Sequence, residues 1–264
     1  MLTNSFCHIP GLGSHTERTL WRDGCRSWET YLANPGRFSA GSVDSGFMRD
    51  QLEKSAKALD QRNHQFFGGH LGSRESWRAW PEFSDCVCYL DIETDGGQSG
   101  ESITTVGIYD GTEFTCLVKG QNLGDFPDVF SRFGMVVTFF GGGFDIPMLK
   151  KAFPFVPFDQ IHLDLCPALK RVGYRGGLKK IEKQLGINRG EDTDGLSGLD
   201  AIRLWNEFQR GREQSLQTLI DYNREDVVNL QTLAAIAYGK LRAETLASAG
   251  LSEADFAEDQ ASLF

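Results

Sequence analysis

The chain has 264 residues, 40 % of them apolar and 11 % aromatic, which is enough to bury a real core and excludes wholesale disorder. No apolar run approaches the roughly 20 residues of a membrane span, and Met1 to Pro10 lacks the basic-then-apolar layout of a signal peptide, so the chain reads as soluble and cytoplasmic. The net charge of −9 argues against a protein that coats nucleic acid by bulk attraction, and six cysteines (Cys7, Cys25, Cys86, Cys88, Cys116, Cys166) without a CxxC pair read as free buried thiols rather than zinc ligands.

Ile9-Pro-Gly-Leu-Gly13 opens the chain, followed by helical stretches at Ser14 to Asp23 and Ser27 to Leu32 that bracket Gly24. Residues 36 to 46 are rich in Gly and Ser and read as a linker, and Phe47 to Phe67 has helical composition. Trp77, Trp80, Pro81 and Phe83 mark entry into a core.

From Cys86 the pattern becomes that of a strand. Alternation puts Val87, Tyr89, Asp91 and Glu93 on one face and Cys88, Leu90 and Ile92 on the other, so two carboxylates stand about 7 Å apart at the strand's end. Ser102 to Tyr109 and Glu113 to Val118 follow as strands joined through Asp110-Gly111, a dipeptide suited to a tight hairpin, and the three strands are expected to be antiparallel. Met135 to Phe140 is a short apolar run and so a buried strand. Gly141-Gly-Gly143 ends it, and a helix begins at Phe144-Asp145, which places Asp145 at the carboxyl end of a strand, where ligands collect in α/β sheets. The triple glycine suits either a tight turn or close approach of a nucleic-acid backbone.

Further helices are expected at 176 to 185, with Gly186 as C-cap, at 197 to 210 and at 213 to 238. On the last, Leu216, Leu219, Ile220, Val227, Leu230 and Ala234 form a stripe about 100° wide, with Tyr222 and Asp226 stacked one turn apart on its border. The charge is uneven along the chain: residues 1 to 80 carry 10 basic and 8 acidic groups, 81 to 149 carry 2 and 11, 150 to 189 carry 9 and 3, and 190 to 264 carry 6 and 14. Carboxylates for metals beside a basic strip for phosphates would look like this, as would ordinary solvated charge.

Taken together, Tyr89-Leu-Asp-Ile-Glu-Thr94, Phe144-Asp145 after a glycine break, and Tyr222-Asn-Arg-Glu-Asp226 resemble the three motifs of the DEDD exonuclease superfamily in its tyrosine-bearing (DEDDy) branch. The resemblance covers residues 85 to 238 and is closest to the YprB-like ribonuclease H-like proteins, through Leu199-Asp-Ala-Ile-Arg-Leu-Trp205 ahead of the third motif. It implies an α/β ribonuclease H-like fold, a mixed central sheet flanked by helices and preceded by a small helical module. It also implies a metal-dependent 3′-to-5′ exonuclease acting by a two-metal mechanism on single-stranded nucleic acid with a free 3′ end, with DNA favoured over RNA.

By that resemblance Asp91, Glu93, Asp145 and Asp226 hold two Mg²⁺ or Mn²⁺ ions and Tyr222 orients the attacking water. Many relatives have an Asn-Gly pair ahead of the second-motif Asp, where this chain has the stretch Phe139-Phe-Gly-Gly-Gly143. In the basic island, Arg175, Gly177, Lys179 and Lys180 flank a helix start whose amides suit phosphate. Ile9 to Gly13 resembles a helix-hairpin-helix element, which implies nucleic-acid contact, including duplex, through Gly11 and Gly13; Glu17 stands where that motif commonly has a small residue. The expected organisation is a hairpin module at 1–35, a linker and helix at 36–80, a ribonuclease H-like domain at 81–240 and an acidic tail at 241–264. A non-catalytic nucleic-acid-binding or scaffold protein and a structure-selective endonuclease are the competing readings.

Overall fold

A computed structural model describes residues 1–190, 193 and 195–256 of the chain. Its centre is a five-stranded sheet: β1 (Val87–Thr94), β2 (Ile103–Tyr109), β3 (Phe114–Val118), β4 (Met135–Thr138) and β5 (Ile161–Asp164), in the order β3-β2-β1-β4-β5. The hairpin half is antiparallel, with Asp91 opposite Gly107 and Glu93 opposite Thr105. The other half is parallel: β4 runs beside β1 and β5 beside β4. The sheet is therefore mixed, as expected, and β1 sits where the two pairing modes meet. β5 has no counterpart in the sequence reading, because four residues are too few to display a period.

Alternation divides the core. Cys88, Leu90 and Ile92 of β1 pack with Phe126 and Phe130 of α5 (Phe126–Phe130) and with Met148 and Leu149 of α6 (Asp145–Ala152). Val87 and Tyr89 face the other way, into a cluster with Val227, Leu230 and Ala234 of α10 (Glu213–Ser248). That helix of 36 residues, about 54 Å long at 1.5 Å per residue, crosses the sheet face. It runs ten residues past the expected end at 238. Leu241 and Leu246 continue its buried stripe, and Ala249 is buried just beyond it. The acidic tail expected from 241 thus begins as packed helix; Phe256 too is buried against Trp21, and residues 257–264 of that expectation lie outside the described residues. The remaining helices are α7 (Leu165–Arg171), α8 (Leu178–Gln184) and α9 (Gly198–Gln209).

The N-terminal residues form α1 (Ser14–Arg22), α2 (Trp28–Ala33), α3 (Ser45–Asp60) and α4 (His64–His70). One buried apolar cluster runs from Leu2, Phe6 and Trp21 through Phe67 and Trp77 to Val87 and Met135, so residues 1–80 pack onto the sheet rather than hang from a linker. Ile9 to Gly13 is a turn that leads into α1, and only a single 3₁₀ turn, Leu2–Asn4, precedes it where a hairpin motif would have a helix.

Glu17 explains much of that packing. Its side chain is buried and forks with Arg78 (Oε2 to Nη2 3.0 Å, Oε1 to Nη1 3.2 Å), while Oε1 also accepts from the amides of Phe6 and Cys7 and from the Ser5 hydroxyl. Four of the six cysteines are only half-buried, Cys25 and Cys88 being the buried pair, and all six are free thiols. Among the described residues no helix is long and apolar enough to cross a membrane.

Candidate active site

The carboxyl ends of β1 and β4, the start of α6 and the middle of α10 converge on a cleft of about 460 Å³. Asp91, Glu93, Asp145, Tyr222 and Asp226 all line it, from three separate elements. Asp91 and Glu93 share a face of β1 because side chains two apart in a strand do. Each of Asp91, Glu93 and Asp226 offers a carboxylate oxygen within 4.8 Å of the other two. Asp145 stands outside that trio. Its Oδ1 accepts the amide of Ile92 at 3.0 Å, which ties the first turn of α6 to the strand between the two acids.

Burial pushes the Asp91 and Glu93 carboxyls well above the usual carboxylate range, and the neighbouring acids push them further. Asp145 is raised by burial to about 7, against the pull of the Ile92 amide. Burial also raises Asp226, opposed by Arg189. Four acids that each disfavour the others' ionisation make a site that a cation would stabilise. The donors are hard oxygens, open to the cleft on one side, which fits Mg²⁺ or Mn²⁺ and not a soft metal.

Two asparagine and arginine contacts that the sequence reading missed organise this set. Asn223 donates Nδ2 to Asp91 Oδ2 at 3.0 Å, and a Cβ on Gly107 would lie 2.3 Å from its Oδ1, so β2 carries glycine where Asn223 enters. A lone glycine inside a strand pattern was the available signal, since it commonly marks such close approach. Arg189 donates to Asp226 Oδ1 and grips both oxygens of Glu182 at 2.8 Å, and Asn229 also donates to Glu182. Arg189 belongs to the basic stretch 150–189, but nothing in its spacing distinguishes it from the other cations there.

Tyr222 is 5 % exposed and its hydroxyl makes no hydrogen bond to the described residues. Its ring carries the Lys179 ammonium 4.2 Å from its centroid. Burial, then Asp226, Glu93 and Asp91, hold the phenol above its ordinary value, so it keeps its proton. The Lys179 Nζ is itself buried without a hydrogen-bond partner, and burial lowers its pKa. Gly177 and Lys180 line the cleft beside it, with Gly177 as the N-cap of α8. Arg175 is exposed and takes no part in the lining, and neither do Gly11 and Gly13. Gly11 holds a left-handed φ of +84°, and the amides of Gly11 and Gly13 meet no acceptor among the described residues.

The triple glycine is a closed turn, not an open cradle. Asp164 of β5 accepts the amides of Phe140 (2.8 Å), Gly142 (3.1 Å) and Cys166 (3.0 Å), and Gly143 donates to the Phe140 carbonyl. A Cβ on Gly141 would strike Thr138, and one on Gly143 would lie 2.8 Å from the Phe140 ring. These glycines make room for their own turn. Phe140, at a φ of +65° rare for a bulky residue, stands 56 % exposed at the cleft's lip beside the half-exposed Phe144.

The family model of the RNase H superfamily matches residues 88–238, more than half of the chain, and includes every residue that lines the cleft. A search of curated proteins finds no match.

Proposed function

The chain belongs to the RNase H superfamily, with its α/β fold, and from that premise we propose that it is a metal-dependent 3′-to-5′ exonuclease of the DEDDy type, acting on single-stranded nucleic acid in the cytoplasm, with DNA favoured over RNA. One observation carries the reading: buried carboxylates from β1 and α10 converge in an open cleft beside a buried, unpartnered ammonium. Asp91, Glu93 and Asp226 would hold two divalent ions, with Asp145 completing the set from the start of α6. Bound Mg²⁺ or Mn²⁺ would supply positive charge at the phosphate oxygens and an ionised water at neutral pH.

The chain's own residues supply the rest. Tyr222 keeps its proton and lines the cleft, where its hydroxyl can orient a water by hydrogen bonding. Lys179 and Lys180, with the N-cap Gly177, face the same space and neutralise phosphate charge as it approaches. Arg175, Gly11 and Gly13 lie away from the cleft, and their role is contact with more distant parts of the nucleic acid, duplex included, through side chain or bare amide. The polarity is tested with a 5′-labelled linear single strand and a circular strand of the same sequence. A ladder that shortens from the 3′ end, with the circle intact, supports the exonuclease. Products from the circle would make it an endonuclease, and binding of both without cleavage would make it a non-catalytic binder.

A further inference from the structure

A second cavity, of about 440 Å³, lies on the far side of the turn 139–144. The turn is a wall between the two spaces: Phe139, Phe140 and Phe144 line the acidic cleft, whereas Gly142 and the Asp164 that binds its amide line this cavity. Arg74 and Arg171 both line it, one from the loop after α4 and one from the end of α7. The Arg74 side chain is exposed and makes no hydrogen bond or ion pair among the described residues.

Arg171 donates to the Arg74 carbonyl and lies 3.7 Å from Glu75, a carboxylate already engaged by Arg78 at 2.6 Å. Burial lowers the pKa of Arg171, with Arg74 and Arg78 lowering it and Glu75 and Glu244 raising it. Trp77, 1 % exposed, lines the same cavity as an apolar wall, its indole N–H buried behind it. The one carboxylate in the lining, Asp164, is spent on three backbone amides, and burial holds His162 neutral with its Nε2 against Thr138.

We infer that this cavity binds a backbone phosphate of the nucleic-acid strand whose reacting end lies in the acidic cleft, with Arg74 and Arg171 as its cationic arms. The inference rests on the nuclease reading and extends it: a strand leaving the cleft crosses the exposed Phe140 ring, which offers a stacking face for a base, and reaches the arginines on the other side. It gives the enzyme a second phosphate contact on an element that takes no part in the chemistry.

The test measures binding of a 5′-fluorescein-labelled 12-nucleotide single-stranded DNA by fluorescence anisotropy in EDTA, across a salt series, for the native protein, Arg74→Ala and Arg74→Ala/Arg171→Ala. Hydrolysis of bis(p-nitrophenyl) phosphate in Mn²⁺, a substrate too short to span the turn, is read in parallel. The double variant should bind about tenfold more weakly, and its log Kd against log salt slope should fall by about 1.4, the share of two cations on a single strand. Its rate on the small diester should match the native protein. Arg74→Ala, a surface change that leaves the core untouched, should show about half the loss of slope, and Arg74→Lys should restore most of it.

Unchanged affinity and slope in both variants, with DNA still degraded in Mn²⁺ by the native protein, would overturn the phosphate site and leave the exonuclease standing. Arginine-dependent binding by a native protein that cleaves neither DNA nor the small diester would keep the site and overturn the nuclease. No binding by the native protein would overturn the site outright.

Discussion

Two buried acidic regions of this molecule have opposite electrostatic logic. Glu17 is 1 % exposed, yet its carboxylate is met by the Arg78 fork, two backbone amides and a serine hydroxyl. In the cleft, Asp91, Glu93 and Asp226 are pressed together with Asp145 beside them, met by one guanidinium contact from Arg189, the nearby Lys179 ammonium and a few amide donors. The first arrangement compensates its charge within the fold. The second leaves charge for something from outside to neutralise, and on the function proposed here that difference separates a residue that builds the protein from residues that act.

Asp91→Asn tests the contrast at its strongest point. Loss of one metal-holding charge should lower nuclease turnover about 10³-fold, on the scale of the several kcal/mol that a bound ion contributes to transition-state charge. In EDTA the same substitution should raise Tm by about 2–4 °C, since it removes an uncompensated buried charge worth about 1 kcal/mol. A variant that is inactive and less stable would show that Asp91 is structural. Glu17→Ala is the converse: it strands the Arg78 charge and should cost about 3–5 kcal/mol in a urea melt, while the folded fraction keeps native specific activity.

Tyr222→Phe should be milder, lowering kcat about tenfold with little change in KM, because only the hydroxyl that positions water is lost. Equal effects on both constants would assign the residue to substrate binding.

A pH series is the finest of these tests. The cleft acids have folded-state values above their unfolded ones, so their ionisation penalises folding increasingly as pH rises above about 4, the usual carboxylate range, through about 7 for Asp145. In EDTA the protein should therefore melt lower at pH 8 than at pH 5. Saturating Mn²⁺ should reverse that order, because the ion binds the ionised form. Glu17→Ala should retain the same metal response, whereas Asp91→Asn should lose most of it.

The sequence made the site's acids legible because their geometry is local. Period-two alternation put Asp91 and Glu93 on one face, and a one-turn spacing stacked Tyr222 on Asp226, both as found. The groups that hold them were not legible, because their partners are distant in the chain. Asp164 pins a turn 22 and 24 residues earlier, Arg189 bridges Glu182 to an acid 37 residues on, and Asn223 reaches back 132 residues to Asp91. Glu17, an oddity against the helix-hairpin-helix pattern, is accounted for only by Arg78, 61 residues away. Four-residue β5 was invisible for a different reason: Ile161 to Asp164 supplies only two periods of alternation, which any loop can match by chance.

The most direct measurement is degradation of 5′-labelled single-stranded DNA and RNA of one sequence, in Mg²⁺, Mn²⁺ or EDTA, by the native protein and by Asp91→Ala. The account predicts cleavage that requires the metal, shortens the strand from its 3′ end and disappears in the variant. Cleavage that persists in EDTA or in Asp91→Ala, or no cleavage of either strand in any metal, would contradict it.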